Sequence, residues 1–375
     1  MILIFSNGFG ETEIAKSILN KLVGLVDVKL YPLIGDVSQI SSKFLGFVPR
    51  NYGSGGLTTR SLPNFLLDLL SGSVGELFRY IHSIKTSPRS EKVFIVGDPF
   101  LLMLVKSKLR FKVKTIFMSI YKSEISERHY WFEKYFIKKN VDYFLPRDRY
   151  TGEVFKKYGV QSVYLGNPMV DSVEVKGVDF RRDPRLKTLL LLPGSRDFAY
   201  KIIVKMLYVV ESLFEKYGFF NVLWPIANML DLNKIKDVLI KHRWFIFEES
   251  NKFVLKKNLI EVVAGKGMFG DMLNVSDVVL STSGTATEQA AAFGKPTIMF
   301  FDPSIGISRS WFNRQKLLLG NNLKLFDRFN ISDISDEIAF LFLNEDERTR
   351  RGKIGMSMIE GRGSIDRISK FLLSI

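Results

Sequence analysis

The chain has no cysteine among its 375 residues, and it has only three widely separated histidines (His82, His129 and His242). The absence of cysteine excludes disulfide bonds, thiolate metal sites and cysteine nucleophiles. Three scattered histidines also make a histidine-rich metal site improbable. The sequence therefore predicts neither a bound metal ion nor another cofactor.

Long hydrophobic runs are also missing, because no run approaches the ~20 residues that a membrane-spanning helix needs. The opening residues MILIFSNGFGE resemble a buried strand that enters a glycine loop, without the basic segment of a signal peptide. The hydrophobic fraction of 46% is nevertheless ample for sizeable cores. We expect a folded cytoplasmic protein with two domains.

Acidic residues are fewer than basic ones, 39 against 54, so the net charge is +15. Residues 101–140 hold ten basic residues against three acidic ones, a local net charge of +7. Such a field attracts nucleic acid, anionic lipid or anionic small substrates. No nucleic-acid-binding motif accompanies the charge, so we expect an anionic membrane surface as partner and no nucleic acid.

Two segments of the first half allow more than one interpretation. The apolar segment Leu62–Ile84 can pack inside as a helix pair, or it can lie in a membrane interface and receive acyl chains. The Gly/Ser-rich segment Arg50–Arg60 is either a linker or a loop that closes over a substrate.

A strand–loop–helix–strand pattern runs from Asp277 to Phe301 in the second half. The apolar run DVVLS is typical of a buried parallel strand, and small side chains follow it at residues 282–285. A helix is expected over residues 285–293, with its first residue as the cap. Helix amides beside hydroxyls at the carboxyl end of a strand suit an anionic ligand, and Glu288 can accept hydrogen bonds from a ribose diol. An ordinary βαβ unit with a solvated Glu288 fits the pattern equally well.

Three other loops follow expected strands. Asp98 comes after the strand at residues 92–96, where it can be a catalytic residue or merely the cap of the next helix. The loop at residues 6–11 is similar to a dinucleotide fingerprint but lacks the full glycine spacing. Arg196 ends a Pro-Gly-Ser-Arg turn after the strand at residues 188–192, and it suits a phosphate unless it is a simple surface arginine.

Three motifs together resemble the lipid-A-disaccharide synthases: YLGNPMVDSV at 164–173, LLPGSR at 191–196 and STSGTATEQAAAFGKP at 281–296. They resemble more closely the divergent synthase-related family, whose opening loop also reads S-N-G-x-G-E. GMFGDM at 267–272 is similar to the nucleotide site of the peptidoglycan transferase that adds N-acetylglucosamine to lipid I. The resemblance runs from residue 2 past residue 320. It implies an α/β chain with the GT-B fold, in which two Rossmann-like domains face each other across a cleft.

The same resemblance implies an inverting, metal-independent transfer of a sugar from a UDP-sugar donor to the hydroxyl of a lipid-linked acceptor. The implied contacts are to the diphosphate, to the uracil beside Phe269 and to the ribose diol beside Glu288. The residues implied to bind the donor are Gly194, Ser195, Arg196, Phe269, Ser283, Gly284, Thr285, Glu288 and Gln289.

On the acceptor side, Asp98 falls where the synthase family carries its proposed general base. Glu11 is the next candidate for the catalytic base, and Gly8 and Gly10 belong to an acceptor or phosphate loop. The chain departs from the synthase pattern in two places. The first loop lacks the pattern A-G-E-x-S-G-D, and the second aspartate near the base is absent. The identity of the acceptor therefore stays open.

For the domain organisation we expect an acceptor-binding, membrane-facing domain at residues 1–171 and a linker at 172–187. A nucleotide-sugar-binding domain is expected at 188–345. The helix at 346–375 can pack back onto the first domain. This organisation predicts a cytoplasmic protein that is peripheral on the inner face of the membrane.

Two other functions fit the same fold. A UDP-N-acetylglucosamine 2-epimerase uses acids and a histidine around the sugar, and no histidine lies beside a ligand loop in the sequence. A non-catalytic membrane- or nucleic-acid-binding protein is the third alternative, against which the intact Arg196 and Glu288 argue.

Overall fold

The computed structural model describes residues 1–49, 73–249 and 252–375. The expected loop at Arg50–Arg60 and residues 62–72 of the apolar segment lie outside these ranges. The chain forms two compact units, one of Met1–Ser172 with Arg362–Ile375 and one of Val173–Gly361.

The first unit contains a five-stranded parallel sheet in the order β2-β1-β3-β4-β5. Four of these strands are almost entirely buried, as expected of strands covered on both faces. The strands are β1 (Ile2–Ser6), β2 (Val28–Pro32), β3 (Lys92–Gly97), β4 (Lys114–Ser119) and β5 (Tyr143–Leu145).

Helices cover both faces of this sheet. They are α1 (Phe9–Leu22), α2 (Ser73–Lys85), α3 (Pro99–Lys108), α4 (Trp131–Asn140), α5 (Arg149–Lys157) and the C-terminal α13 (Ser364–Ser374). One core joins α1 and α13 to the side chains of Ile2 and Ile4. A second core joins α2, α3, α4 and α5 to Leu3 and Phe5 on the opposite face.

The second unit contains an eight-stranded sheet in the order β13-β12-β11-β6-β7-β10-β9-β8. The strands are β6 (Thr188–Leu192), β7 (Asn221–Ile226), β8 (Phe245–Glu249), β9 (Lys252–Lys257), β10 (Ile260–Lys266), β11 (Val278–Ser281), β12 (Thr297–Phe300) and β13 (Leu323–Phe326). The pairs β8–β9 and β9–β10 are antiparallel, and all other neighbours are parallel.

The helices of the second unit are α6 (Ala199–Tyr217), α7 (Leu232–Lys241), α8 (Phe269–Val275), α9 (Thr285–Ala292), α10 (Arg309–Leu319), α11 (Ile331–Leu343) and α12 (Glu345–Ile359). A core of Leu190, Leu192, Leu223, Met272 and Val279 lies between the central strands and α8. The parallel sheet of the first unit, the mainly parallel sheet of the second unit and their helices confirm the predicted α/β class.

The segment expected as a linker, residues 172–187, is held in the second unit from Val173 onward. The buried Asp271 carboxylate accepts hydrogen bonds from the amides of Lys176 (2.6 Å), Gly177 (2.7 Å) and Val178 (3.3 Å). Phe180 is also buried, in the core beside α8. The charged, aperiodic sequence of this segment did not predict its attachment to the second unit, because the Asp271 carboxylate that holds it lies about ninety residues away along the chain.

The chain returns to the first unit at its C-terminus. Asp171, the last residue of the motif Gly166–Asp171, accepts hydrogen bonds from the amides of Gly363 and Ile365 and from the Ser364 hydroxyl, each at 2.7 Å. Its carboxylate thus caps the start of α13, whose Ile365, Ile368 and Leu372 enter the core beside α1. None of the helices in the described ranges is long and apolar enough to cross a membrane.

Candidate functional site

Two loops of the second unit lie side by side at the carboxyl edge of its sheet. β6 and β11 are parallel neighbours whose last residues, Leu192 and Ser281, are in register. The Pro-Gly-Ser-Arg turn at 193–196 leaves β6 at this edge, and the loop at 282–284 leaves β11. The sheet thereby brings together the two motifs that are ninety residues apart in sequence.

Thr282 ties these two loops together. Its amide donates to the Leu192 carbonyl at 3.0 Å, and its hydroxyl donates to the Pro193 carbonyl at 2.9 Å. Thr282 is buried, so water competes little for these bonds. The bonds fix the position of the turn at 193–196 relative to the start of α9.

Gly194 has a backbone conformation that other residues rarely adopt, with φ of +110°. A Cβ atom at this position would also lie 2.8 Å from Cε2 of Phe198. Glycine is therefore required here for two independent reasons. The next two residues, Ser195 and Arg196, are exposed. Within the described ranges, the Arg196 guanidinium has no hydrogen-bond or ion-pair partner.

Helix α9 begins without a side-chain cap. Its N-cap is Gly284, and the predicted cap, Thr285, is instead the first helical residue with an exposed side chain. That prediction was wrong because Gly284 takes the cap position itself and has no side chain that could accept a hydrogen bond from a first-turn amide. The first-turn amides and the positive end of the helix dipole are thus not neutralised by a cap, which suits an anion.

A serine–threonine hydrogen bond fixes the loop before α9. The Ser281 hydroxyl, at the end of β11, is 2.6 Å from the Thr287 hydroxyl in the first turn of the helix. An equivalent hydrogen bond occurs in the first unit, where the Ser6 hydroxyl at the end of β1 is 2.8 Å from the Thr12 hydroxyl in α1. The spacing S-x₅-T after a buried strand is a sequence signal for both loops that the motif analysis missed.

The other residues expected to bind a donor occupy neighbouring positions. Glu288 is buried, with 4% of its surface exposed, one turn into α9, and Gln289 beside it is half-buried. The solvated Glu288 of the alternative interpretation is therefore wrong. Phe269 is the first residue of α8, after β10, and packs partly against the core beside that helix.

Two residues of α10 approach the same helix start and were not predicted as site residues. A Cβ atom on Gly284 would lie 3.0 Å from Cζ2 of Trp311 and 4.0 Å from Nε2 of Gln315. Gln315 is buried, and its Oε1 has no hydrogen-bond partner in the part of the chain that the structure describes. Only the fold brings α10 to this position, since no local pattern links it to residue 284.

In the first unit, Asp98 follows β3 at the carboxyl edge of the sheet. It is the N-cap of α3, and its Oδ1 accepts from the Leu101 amide at 2.9 Å. The capping role is thus real, and a second carboxylate oxygen remains beside it on a half-buried side chain. Asn7 also reaches this point, because a Cβ atom on Gly97 would lie 2.3 Å from the Asn7 Oδ1.

The first glycine loop lies next to Asp98, since Ser6 at the end of β1 is paired with Val96 of β3. Glu11, in the first turn of α1, folds back over the N-cap residue Gly8, where an added Cβ would lie 2.1 Å from its Oε2. An added Cβ on Gly10 would lie 3.6 Å from the Met169 methyl group.

A histidine also lies near this edge of the first unit. His129 Nδ1 is 3.0 Å from Glu124 Oε1, and its Nε2 is 3.4 Å from the Ser119 hydroxyl at the end of β4. Lys134 contacts the other Glu124 oxygen at 2.6 Å. The His129 ring is fully buried. Burial would raise the pKa of Glu124, but hydrogen bonds from His129 and Lys134 outweigh it and hold the pKa at about 2.

Among the residues with described coordinates, no group of three or more histidine, aspartate or glutamate side chains is placed to hold a metal ion.

Part of the chain is similar to a known sequence family. Residues 137–304, which include both loops of the second unit, match the family described as lipid-A-disaccharide synthetase. Lipid-A-disaccharide synthase 2 of Legionella pneumophila (strain Lens) is 27% identical over 180 residues, which are 46% of this chain and 43% of that protein. Lipid-A-disaccharide synthase of Acinetobacter baylyi is 24% identical over 173 residues, 44% of this chain and 42% of the relative. The chain thus spans less than half the length of these relatives.

Solved structures resemble the whole chain. The calicheamicin glycosyltransferase CalG4 aligns with a TM-score of 0.63 at 11% identity, over 100% of this chain and 97% of that one. UDP-GlcNAc 2-epimerase from Neisseria meningitidis, solved with UDP-GlcNAc, aligns with a TM-score of 0.61 at 14% identity over 100% of both chains. These similarities show the fold alone. The predicted resemblance is confirmed: the chain has the GT-B fold, and its residues 137–304 are similar to the lipid-A-disaccharide synthases.

Proposed function

We propose that this chain is an inverting, metal-independent glycosyltransferase that moves a sugar from a UDP-sugar to a hydroxyl of a lipid-linked acceptor. The observation that carries the proposal is the pair of loops at 193–196 and 282–284, tied together by Thr282 beside an uncapped helix start. Both loops lie in the stretch that is similar to the lipid-A-disaccharide synthases. An exposed arginine beside free helix amides suits a diphosphate better than an uncharged ligand.

In the proposed site, Arg196 and the Ser195 hydroxyl bind the diphosphate together with the amides of Gly194, Gly284 and Thr285 and the hydroxyl of Ser283. When the bond from the sugar to the diphosphate breaks, negative charge grows on the leaving diphosphate. Arg196 and the dipole of α9 offset that charge without a metal ion. Because Thr282 fixes the loops in advance, little reorganisation is needed during the reaction.

The remaining residues of the proposed site bind the nucleoside. Glu288 accepts hydrogen bonds from the ribose diol, and its burial makes those bonds stronger than they would be in water. Gln289 lies next to it on α9. Phe269 borders the uracil, whose edge the neighbouring backbone reads. Gln315, whose Oε1 has no partner among the described residues, is a further hydrogen-bonding group for the donor.

Asp98 is the proposed general base. It removes the proton of the acceptor hydroxyl as that oxygen attacks the anomeric carbon. The attack inverts the configuration at this carbon, because the diphosphate departs from the opposite face. Its bond to the Leu101 amide orients the carboxylate and leaves the second oxygen for the acceptor. Glu11 is the alternative base in the adjacent loop, with Gly8 and Gly10 admitting the acceptor. A lipid-linked acceptor implies a protein that is peripheral on the cytoplasmic face of an anionic membrane.

The test is a transfer assay with UDP-glucose, UDP-N-acetylglucosamine and UDP-2,3-diacylglucosamine in the presence of a bacterial lipid extract. We expect UDP release that depends on the extract, a glycolipid product of inverted anomeric configuration by NMR, and unchanged turnover in EDTA. UDP release without a glycolipid, or loss of turnover in EDTA, would contradict the proposal.

An epimerase is the second candidate, because the fold is shared with UDP-GlcNAc 2-epimerases and His129 lies near the edge that carries Asp98. The complete burial of the His129 ring disfavours it. NMR of UDP-N-acetylglucosamine incubated with the chain and no acceptor separates the two functions, since only an epimerase converts the sugar to its 2-epimer. A non-catalytic protein would bind UDP without either reaction.

A further inference from the structure

Aromatic side chains are exposed together on the first unit. They lie within the first two turns of α2, α3 and α4 or at the N-cap of α4. We call this set the aromatic rim: Phe78 (68% exposed), Phe100 (53%), Tyr130 (62%), Trp131 (78%), Phe132 (45%) and Tyr135 (53%).

The topology explains why these residues share one end of the unit. The helices α2, α3 and α4 pack side by side and bury Tyr80, Leu101 and Ile137 in the same core on one face of the sheet. Each of the three helices leads directly into a parallel strand, β3, β4 or β5. Their first turns therefore lie at the carboxyl edge of the sheet, the edge that also carries Asp98.

Two lysines contact rings of the aromatic rim. Lys122 lies 4.3 Å from the ring centroid of Tyr130, and Lys139 lies 5.9 Å from that of Tyr135. Lys138 and Lys139 are exposed on α4. Glu133, the acidic residue of that helix, is buried and paired with Lys122 at 2.6 Å, so the positive charge that α4 offers to a partner comes from Lys138 and Lys139.

A set of exposed aromatic side chains at one edge of a unit indicates an interaction site. Tryptophan and tyrosine flanked by lysine are typical of the boundary between lipid and water, where the ring enters the headgroup region and the cation meets anionic lipid. Six exposed rings beside lysine side chains fit the boundary of a bilayer better than a protein or nucleic-acid partner. The charge complementarity therefore favours one occupant, an anionic bilayer.

We propose that the aromatic rim is the surface by which this chain docks on an anionic lipid bilayer. Docking there would bring the headgroup region to the edge of the sheet that carries Asp98, two residues before Phe100. The inference rests on the proposed function only in making the bilayer the source of the acceptor, and lipid binding itself can be tested without any transfer. Five of its six residues lie outside the apolar segment Leu62–Ile84, which contributes only Phe78.

The experiment is cosedimentation of the full chain with phosphatidylcholine vesicles that do or do not contain phosphatidylglycerol. We expect binding only to the anionic vesicles, weakened as salt is raised. The triple variant Trp131→Ala, Phe132→Ala, Tyr135→Ala should partition at least about tenfold more weakly, because it removes three inserting rings. The matched control Phe245→Ala, Phe247→Ala removes two exposed rings from β8 of the second unit and should bind like the parent.

Two further measurements distinguish a failure of the docking inference from a failure of the proposed function. The variant Lys138→Glu, Lys139→Glu changes only exposed residues and should abolish the preference for anionic vesicles. UDP titration of every variant should match the parent. Parental vesicle binding by the triple variant overturns the inference and leaves the proposed function standing if UDP still binds. A change from dimer to monomer in light scattering, without loss of lipid binding, would instead assign the rim to a second copy of the chain.

Discussion

Arg196 is the side chain whose removal tests the proposed donor site most cleanly, because it is exposed and has no partner among the described residues. Arg196→Ala should leave thermal stability within about 0.5 kcal/mol of the parent, as is usual for unpartnered surface residues. It should weaken UDP binding by about 1.5–3 kcal/mol through the loss of charged hydrogen bonds to the diphosphate. Isothermal calorimetry of UDP against both proteins measures the difference.

The matched control is Arg243→Ala, which removes another exposed arginine of the second unit, after α7 and away from both loops. Its UDP affinity should equal that of the parent. Equal affinity for UDP in the parent and in Arg196→Ala would remove Arg196 from the donor site. An equal loss in the two variants would attribute the effect to net charge alone.

At the scale of elements, the sequence was most informative where a helix and its strands are set by local pattern. The strand at Thr188–Leu192 has the predicted bounds, and the helix expected over residues 285–293 is observed at Thr285–Ala292, since both follow from local sequence pattern. The strand β9 was missed because its alternating pattern is short and rich in lysine.

The features of the candidate site also divide into those that local sequence predicts and those that depend on distant contacts. The two loops of the second unit were predicted, because small residues and glycine after an apolar run have a local physical reason. The burial of Glu288, the approach of Trp311 to Gly284 and the buried network around His129 were not, because each depends on contacts between distant parts of the chain.

The contact between Asp171 and α13 gives an element-scale prediction. Asp171→Ala removes three hydrogen bonds at the start of α13 and should lower the free energy of unfolding by about 1–3 kcal/mol. Amide exchange in residues 364–374 should speed up more than in β3. The control Asp366→Ala also lies on α13 and removes an exposed ion pair to Lys21 of α1. It should change the free energy of unfolding little. Unchanged exchange in Asp171→Ala would mean that core packing alone holds α13.

The network between β4 and α4 predicts a pH dependence. The folded pKa of Glu124, about 2, is below its ordinary value of 4.5, so its contribution to stability is present above pH 4.5. That contribution should be lost as pH falls from about 4.5 to about 2, because the folded carboxylate resists protonation while the unfolded one does not. Urea denaturation of the parent and of Glu124→Gln across this range measures it. The variant should lose this component of the pH dependence, whereas Glu13→Gln on the exposed face of α1 should retain it.

At the scale of the whole molecule, the proposal assigns the general base to the first unit and UDP binding to the second. One substitution can separate these two functions. Asp98→Asn should reduce transfer by about 10²–10⁴-fold, the usual contribution of a general base, while UDP affinity stays at the parental value. The fold should persist, because asparagine caps a helix about as well as aspartate. Near-parental transfer by Asp98→Asn would move the base to Glu11, and Glu11→Gln is then the next variant to assay.

The central claim is that the second unit binds a UDP-sugar, and thermal denaturation of the full chain with uridine nucleotides tests it most directly. A nucleotide present at about 100 times its Kd should stabilise the chain by about 2.7 kcal/mol. We predict stabilisation by UDP and by at least one of UDP-glucose, UDP-N-acetylglucosamine and UDP-2,3-diacylglucosamine, and loss of that stabilisation in Arg196→Ala. An unfolding transition that none of these four ligands shifts, in a chain that is folded and monodisperse, would contradict the claim.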